Sequence, residues 1–387
     1  MPPASEEPRF TIDGSPQLEA HLARTCEKIA AALHGMLPPR KLEAVLLGGG
    51  YGRGEGGVLR PPEGDRPYND LEFYVCLRGS RLLNEKRYGH ALHVLGEILT
   101  PQAGIEVEFK ITSLRELATK PVSMFSYDLL AGHRWLIGRE EQLARCQHHQ
   151  DAGQIPLSEA TRLLMNRCSG LLFAQERLER PTFTAADADF VRRNVAKAQL
   201  ALGDAILVCY GQYHRSATER HARLDRIARL ENVSWLDDVL EHHAAGVDFK
   251  LHPERSTSTR EALAPIHREV TNLALVAWRW IEKRRLRAAF LTPQQYVELA
   301  LHKCPESFFL RNVLLNLKTL GPAGVLSTRA LRHPRERILN ALTLLLWEPA
   351  ALGTPALLHR VRRELRTNAT DFPALVARYR DLWQHVN

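Results

Sequence analysis

The chain has 387 residues, of which 44% are hydrophobic and 25% charged, as in an ordinary soluble globular protein of two or three domains. Lys and Arg outnumber Asp and Glu by 52 to 44, and the net charge of +8 favours anionic partners such as nucleotides, nucleic acids or a membrane surface. The excess is spread along the chain without a block of like charges, so a general basicity is the alternative interpretation.

The sequence contains no pattern typical of secretion or of membrane insertion. No stretch approaches the roughly 18 apolar residues of a membrane span, and residues 1–10 are polar and proline-rich, unlike a signal peptide. The six cysteines form no CxxC pair, and most lie in apolar runs, as buried free thiols do. We therefore expect a cytoplasmic protein that does not bind membranes.

The first 150 residues alternate between the helical and the extended pattern of apolar residues, which predicts an α/β unit. In chain order the predicted elements are a helix at 16–36, a strand at 42–47, a glycine-rich turn at 48–57, a proline-rich loop at 59–67, a strand at 71–77, a helix at 86–99 and a strand at 105–112.

From about residue 155 the apolar residues follow the helical period throughout. The predicted fold class is therefore α+β, with an N-terminal mixed sheet and flanking helices at 1–150 and an all-helical domain at 151–387, in which a subdivision near 250–290 stays open. Adjacent helical residues point about 100° apart, so neither of the pairs His148-His149 and His242-His243 is expected to share a metal ion. Both pairs are predicted to be surface residues. The predicted helices are 157–179, 185–213, 216–230, 235–243, 257–287 and most of 293–386.

The glycine-rich turn Gly48–Gly57 does not satisfy either of two common phosphate-binding motifs in full. A Walker A loop ends in Gly-Lys-Ser/Thr, whereas this turn ends in Gly54-Glu55-Gly56-Gly57. The glycines of the dinucleotide-binding fingerprint are present at Gly52, Gly54 and Gly57. That fingerprint requires a helix directly afterwards, whereas the next eleven residues contain three prolines and a glycine, which disfavour a helix. A glycine turn beside the next strand is the interpretation that remains.

Acidic residues alternate along the next two predicted strands, as Asp70 and Glu72 and then as Glu106 and Glu108. Residues two apart in a strand project from the same face. Strand interiors disfavour acids, and like charges so close repel one another unless a cation lies between them. Three convergent carboxylates beside a glycine turn predict a site for two divalent metal ions, one for a triphosphate and one for an acceptor hydroxyl.

At these residues the sequence resembles the DNA polymerase β-like nucleotidyltransferase superfamily, whose members share a Gly-Gly or Gly-Ser turn, an hDh[DE]h strand and a later strand with a third acid. Gly49-Gly50 with Arg53-Gly54-Glu55 resembles the phosphate turn, Tyr68–Phe73 the metal strand, and Val107-Glu108-Phe109 the third-acid strand. Residues 126–138 resemble the segment that often closes the core of these enzymes. The resemblance covers roughly residues 42–138, about a quarter of the chain.

The resemblance implies a two-domain enzyme in which Asp70, Glu72 and a third acid hold two Mg²⁺ ions. Glu108 is the first choice for the third acid, because the strand continues from it toward a leucine, and Glu106 is held in reserve. Related enzymes also use a basic residue of the helical domain to hold the triphosphate, for which Lys197 is the candidate and a solvated helix face is the alternative. The implied nucleotide-binding residues are Gly49, Gly50, Arg53, Gly54, Glu55 and Lys197.

The sequence departs from the family pattern in two places. The gap from Gly50 to Asp70 is longer than usual, and Glu72 stands where aspartate is commoner. Because either change weakens metal binding, a retired nucleotide- or RNA-binding pseudoenzyme is the alternative to an active transferase. A helical interaction scaffold is a third hypothesis, which requires that the acids do not converge.

The function implied by the resemblance is transfer of a nucleoside monophosphate, AMP from ATP as the first choice, to a hydroxyl acceptor. Antibiotic-modifying members of the superfamily pair a similar head with a helical domain, so a small molecule is the first acceptor class and a protein or tRNA end is the second.

Overall fold

The computed structural model describes residues 9–231, 233–322 and 330–386. The chain is α+β, as predicted, with a small mixed sheet and many helices. Its residues form two compact units that each interrupt the other along the chain. Unit 1 comprises Met1–Pro156, Tyr210–Ile227 and Val247–Glu254, and unit 2 comprises Leu157–Cys209, Ala228–Gly246 and Arg255–Asn387.

The strands of the described residues all lie between residues 42 and 137. They are β1 (Leu42–Leu47), β2 (Gly57–Leu59), β3 (Arg66–Tyr68), β4 (Asp70–Leu77), β5 (Glu106–Thr112) and β6 (Arg134–Ile137).

Helices flank these strands and form the other regular elements of the described chain. They are α1 (Pro16–Met36), α2 (Gly49–Gly52), α3 (Arg81–Ala103), α4 (Leu114–Thr119), α5 (Met124–Ala131), α6 (Leu157–Leu178), α7 (Ala185–Cys209), α8 (Ala217–Glu231), α9 (Ser234–Leu251), α10 (Arg260–Leu286), α11 (Pro293–Glu298), α12 (Phe309–Leu320), α13 (Arg335–Trp347), α14 (Pro355–Leu365) and α15 (Phe372–Val386), with 3₁₀ segments at Glu140–Gln150, Ala152–Gln154 and Pro349–Gly353.

The main sheet of unit 1 has the strand order β5-β4-β1-β6. Strand β1 is antiparallel to both of its neighbours, β4 and β6. Strands β4 and β5 are parallel and are joined through α3, as a parallel pair requires a crossover connection. The mixed sheet is thus built around β4, which has a partner on each side.

The two faces of this sheet are covered differently. On one face, alternate residues of β4 such as Leu71 and Phe73 join a core formed with α1 and α3. On the other face, Tyr74 and Cys76 pack with apolar residues of the segments that follow β5. The second apolar cluster stops at Tyr74, so the acids that open β4 on this face remain half-buried rather than enclosed.

The sequence predicts a loop over 59–67, but both ends of this segment are strands. Strands β2 and β3 pair antiparallel, with Val58 opposite Pro67. Proline is tolerated here because a two-stranded ribbon leaves each strand with an open edge, where no N–H is needed. The hairpin ends at Tyr68, two residues before Asp70.

Among its described residues, the regular elements of unit 2 are all helices. Helices α6, α7 and α10 pack against one another, and α13 packs against α6, α14 and α15. The fully buried carboxylate of Glu282 accepts hydrogen bonds from Arg285 and from the Tyr296 hydroxyl, which compensates its removal from water.

The prediction of surface histidines was wrong for three of the four. His149 is buried and its ring bonds to the Leu117 carbonyl. His242 and His243 are also buried, because α9 extends from Ser234 to Leu251 and is covered on more than one side. His243 lies 3.2 Å from Asp204, and a hydrogen-bonded histidine of this kind is compatible with a core position.

All six cysteines are free thiols, and five of them are buried, as their apolar surroundings predict. Among the described residues, no helix is long and apolar enough to cross a bilayer.

Candidate metal and nucleotide site

Strand pairing brings three of the predicted acids together in unit 1. In the parallel register Glu72 lies opposite Glu108, while Asp70 opens β4 two residues earlier on the same face. Each of Asp70, Glu72 and Glu108 offers a carboxylate oxygen, and these oxygens all lie within 4.8 Å of one another. All three residues are half-buried. We call this group the acidic triad.

Glu106, the reserve candidate, lies opposite Asp70 in the register. It is exposed at the first position of β5 and does not belong to the group of converging carboxylates. Glu106 and Glu108 project from the same face of β5, but only Glu108, which lies opposite Glu72, belongs to the acidic triad.

The backbone is constrained directly before the triad. Asn69 has a φ of 86°, in the left-handed region that asparagine tolerates better than most non-glycine residues. Its side-chain amide donates a hydrogen bond of 2.7 Å to Oδ1 of Asp70. Asn69 therefore both turns the chain into β4 and orients the first carboxylate of the triad.

The glycine turn packs against Glu72. The N–H of Gly48 donates to the carbonyl of Glu72 at 2.9 Å. Gly49 has a φ of 62°, and a Cβ atom at this position would lie 3.1 Å from Oε2 of Glu72. A side chain at position 49 would therefore be strained and would press on the carboxylate, so glycine is required for the turn to approach the triad.

Tyr51 fastens the turn to the entrance of β4. Its buried hydroxyl donates to the carbonyl of Gly57 at 2.8 Å and accepts from the N–H of Tyr68 at 2.8 Å. Burial raises the pKa of this phenol well above its usual value, so the hydroxyl keeps its proton as a donor. The turn and the acid-bearing strand are thus held as one piece.

A lysine shares the face of the triad. The ammonium of Lys110 donates a hydrogen bond to Oε1 of Glu72 and lies 3.1 Å from Oε2 of Glu108. Partial burial lowers the pKa of Lys110, but the hydrogen bond to Glu72 and the neighbouring negative charges outweigh this and hold it above its usual value. The lysine is therefore a fixed cation between two of the three acids.

Glu55, a predicted nucleotide-binding residue, is buried and connects the glycine turn to other segments of unit 1. Both of its carboxylate oxygens lie 2.9 Å from the N–H of Ala217, at the start of α8, and the ammonium of Lys250 lies 3.8 Å away. Burial raises the pKa of Glu55, yet Lys250 and the hydrogen bonds from Ser216 and Ala217 bring it below its usual value. An anionic carboxylate at a helix N-terminus is a stabilising arrangement.

Arg53 and Lys250 form a basic group beside the glycine turn. Arg53 lies 3.6 Å from Asp128, with only 10% of its side chain exposed. Lys250 also donates to the backbone carbonyl of Glu55 at 3.2 Å. Burial and the charge of Arg53 together lower the pKa of Lys250 to about 8, although Glu55 acts in the opposite direction. The guanidinium of Arg53 is therefore close enough to disfavour the charged form of Lys250.

The sequence does not identify Lys250 as a candidate site residue. It lies near the end of α9, whose spacing of apolar residues resembles that of the neighbouring helices. Only its position in unit 1, which the chain re-enters at Val247, places it beside the turn. Lys197, the residue proposed from the resemblance, lies on α7 in unit 2 and is exposed. Gly50 and Gly54 stay within the turn, where Gly54 has a φ of 78°.

The donor set fits a divalent cation. Carboxylate oxygens are the ligands that Mg²⁺ prefers in proteins, and the remaining positions of its shell are usually taken by water and phosphate oxygens. Three half-buried carboxylates on one face supply such ligands, and their oxygens lie within 4.8 Å of one another. The acidic triad can thus supply the protein ligands of a divalent cation.

Comparison of the chain with protein-family models, with curated proteins and with solved structures finds no match.

Replacing Glu55 by glutamine is expected to lower the free energy of unfolding at pH 7 by about 2 kcal/mol, because a buried, charge-assisted set of hydrogen bonds is weakened. The folded-state pKa of Glu55 lies below its ordinary value of 4.5, so its contribution is complete above that pH and is lost as the pH falls through the folded-state pKa. Urea unfolding of both proteins at several pH values measures the difference.

The difference between wild type and Glu55→Gln should therefore shrink below about pH 4.5. Glu97→Gln, a change at an exposed glutamate of α3, is the control and should differ little from wild type at any pH. A Glu55→Gln deficit that stays constant from pH 7 down to pH 3 would contradict the assigned role.

Proposed function

We propose that the protein is a metal-dependent nucleotidyltransferase that transfers a nucleoside monophosphate, AMP from ATP as the first choice, to a hydroxyl acceptor. The observation that carries the proposal is the convergence of Asp70, Glu72 and Glu108 beside the positive-φ turn at Gly49. Acids placed so close destabilise the fold unless their charge is offset, and their position next to a glycine turn supports a role in binding a metal ion and phosphate.

In this proposal the triad carboxylates hold magnesium, which supplies positive charge to the triphosphate and makes the acceptor hydroxyl more acidic. Glu108 takes the proton of the hydroxyl as the oxygen attacks the α-phosphorus. A new P–O bond forms to the acceptor, and the bond to the β-phosphate oxygen breaks. Pyrophosphate leaves with the electron pair of that bond.

The glycine turn and its basic neighbours provide the phosphate contacts. Backbone N–H groups of Gly49 and Gly50 are the donors that a turn of this kind offers to an anion. Arg53 adds a guanidinium next to the turn, and Lys250 adds a second charge in the same unit. Lys197 remains the candidate from unit 2, as the resemblance implies.

A small hydroxylated molecule is the first acceptor class in the proposal, and a protein or tRNA end is the second. The net charge of +8 favours an anionic partner but does not choose between these classes.

A retired nucleotide-binding protein is the second candidate, and one observation favours it. The ammonium of Lys110 already neutralises part of the charge of Glu72 and Glu108, which a site without metal requires. Such a protein would bind triphosphates through the glycine turn without turnover.

The double substitution Asp70→Asn with Glu72→Gln is expected to reduce magnesium-dependent pyrophosphate release by at least about 10³-fold, because metal stabilisation of transition-state charge is worth several kcal/mol. The measurement uses radiolabelled triphosphates and a panel of hydroxylated acceptors. Glu108→Gln should lose activity to a similar degree, whereas Glu106→Gln should keep it, since Glu106 lies outside the triad.

The same proteins separate the two candidates. A transferase releases pyrophosphate, and its activity depends on the triad. Thermal stabilisation by triphosphate and magnesium without pyrophosphate release, across the whole acceptor panel, would instead support the retired protein. Turnover that survives the double substitution would contradict the proposed site.

Arg53→Met is expected to weaken ATP binding about tenfold, because a charge-assisted hydrogen bond to phosphate contributes roughly 1.5–3 kcal/mol. Lys197→Met is the matched comparison for the basic residue of unit 2. Equilibrium binding of a fluorescent ATP analogue gives both dissociation constants, and circular dichroism checks the fold. Unchanged affinity in Arg53→Met would remove this residue from the phosphate site.

A further inference from the structure

Lys110 occupies a defined position within the acidic triad. Strand β5 alternates, so Lys110 projects from the same face as Glu108, and the parallel register sets it opposite Tyr74 on β4. Its ammonium contacts Oε1 of Glu72 and Oε2 of Glu108, and it lies 5.9 Å from the centre of the Tyr74 ring. Two strands therefore fix its location.

The contacts of Lys110 are made to specific oxygens of the triad. Of the two carboxylate oxygens of Glu72, Oε1 accepts from Lys110, while Oε2 lies on the side of Gly49. The lysine thus engages the triad on one side, and the glycine turn borders it on another. A divalent ion placed between Glu72 and Glu108 would compete with the ammonium for Glu72 Oε1 and Glu108 Oε2.

The ammonium of Lys110 disfavours a second divalent cation beside it. It is hydrogen-bonded to Glu72 and lies 3.1 Å from Glu108, so it already offsets part of the negative charge that an ion between these two carboxylates would meet. It also repels a divalent ion placed next to it.

On this basis, and resting on the function proposed above, we propose that the ammonium of Lys110 takes the place of one of the two divalent cations, so that the triad binds a single magnesium ion. Lys110 is then a permanent cation of the site, attached to the chain, that holds Glu72 and Glu108 together before any metal arrives. A neutral side chain at position 110 would open the second ion position.

The test counts bound ions directly. Mn²⁺, which replaces Mg²⁺ at oxygen sites and is visible by electron paramagnetic resonance, is titrated into the full chain, and the free ion is quantified at each step. Wild type is expected to bind one Mn²⁺ per chain at the triad. Lys110→Met, which keeps the length of the side chain without its charge, should bind two, the first at least about tenfold more tightly than in wild type.

Two further variants separate charge from folding. Lys110→Arg keeps the positive charge and should bind one ion, as wild type does. Glu97→Gln removes an exposed acid of α3 that lies outside the triad and should also leave the count at one. The double variant Asp70→Asn with Glu72→Gln measures the number of ions bound outside the triad, and this number is subtracted from the count of each other protein. Thermal unfolding verifies that each variant is folded.

Each result decides the matter. Two ions in wild type, or the same count and affinity in wild type and Lys110→Met, would overturn the role of Lys110 and leave the proposed function intact. Loss of Mn²⁺ binding in a folded Lys110→Met protein would also overturn it, because the lysine would then assist the ion rather than replace it. No triad-dependent Mn²⁺ binding in any variant would overturn the proposed function together with this inference.

Discussion

The parallel pairing of β4 with β5 is the constraint on which the site depends. It sets Glu72 beside Glu108 and Lys110 beside Tyr74. The alternation of side chains along each strand then places all of these residues on one face of the sheet. A shift of one residue in this register would send the acids of β5 into the apolar core formed with α1 and α3, where Val107 and Ile111 now lie. The burial of that core is therefore what fixes the separation of the carboxylates on the opposite face.

The same pairing brings like charges together, and neighbouring side chains offset part of the resulting repulsion. Three acids within 4.8 Å repel one another, and Asn69 and Lys110 provide the hydrogen-bond donors that reduce this cost. Farther along the glycine turn, Arg53 and Lys250 lie near each other, and each is close to an acid, Asp128 and Glu55 respectively. In the proposed function the metal faces the acidic triad, and the phosphates face these basic side chains.

Much of this could be predicted from the sequence because it is local. The alternation of Asp70 with Glu72 and of Glu106 with Glu108 places each pair on one face, and the helical period beyond residue 155 predicts helices. The choice of Glu108 over Glu106 depends on register, which the strand pattern alone does not contain. The basic group of Arg53 and Lys250 depends on residues 247–254 belonging to unit 1, a long-range arrangement that no local pattern encodes. The burial of His149, His242 and His243 was missed for the same reason, since the number of elements that cover a helix is a tertiary property.

The central claim is that Asp70, Glu72 and Glu108 are ligands of a divalent ion that also contacts a nucleotide. Crystals grown with Mn²⁺ and a non-hydrolysable ATP analogue test it most directly through anomalous scattering at the manganese edge. The account predicts an anomalous peak bonded to oxygens of all three carboxylates, with phosphate oxygens completing its coordination. A bound nucleotide whose manganese lies away from these residues, or a triad without manganese at saturating concentration, would contradict it.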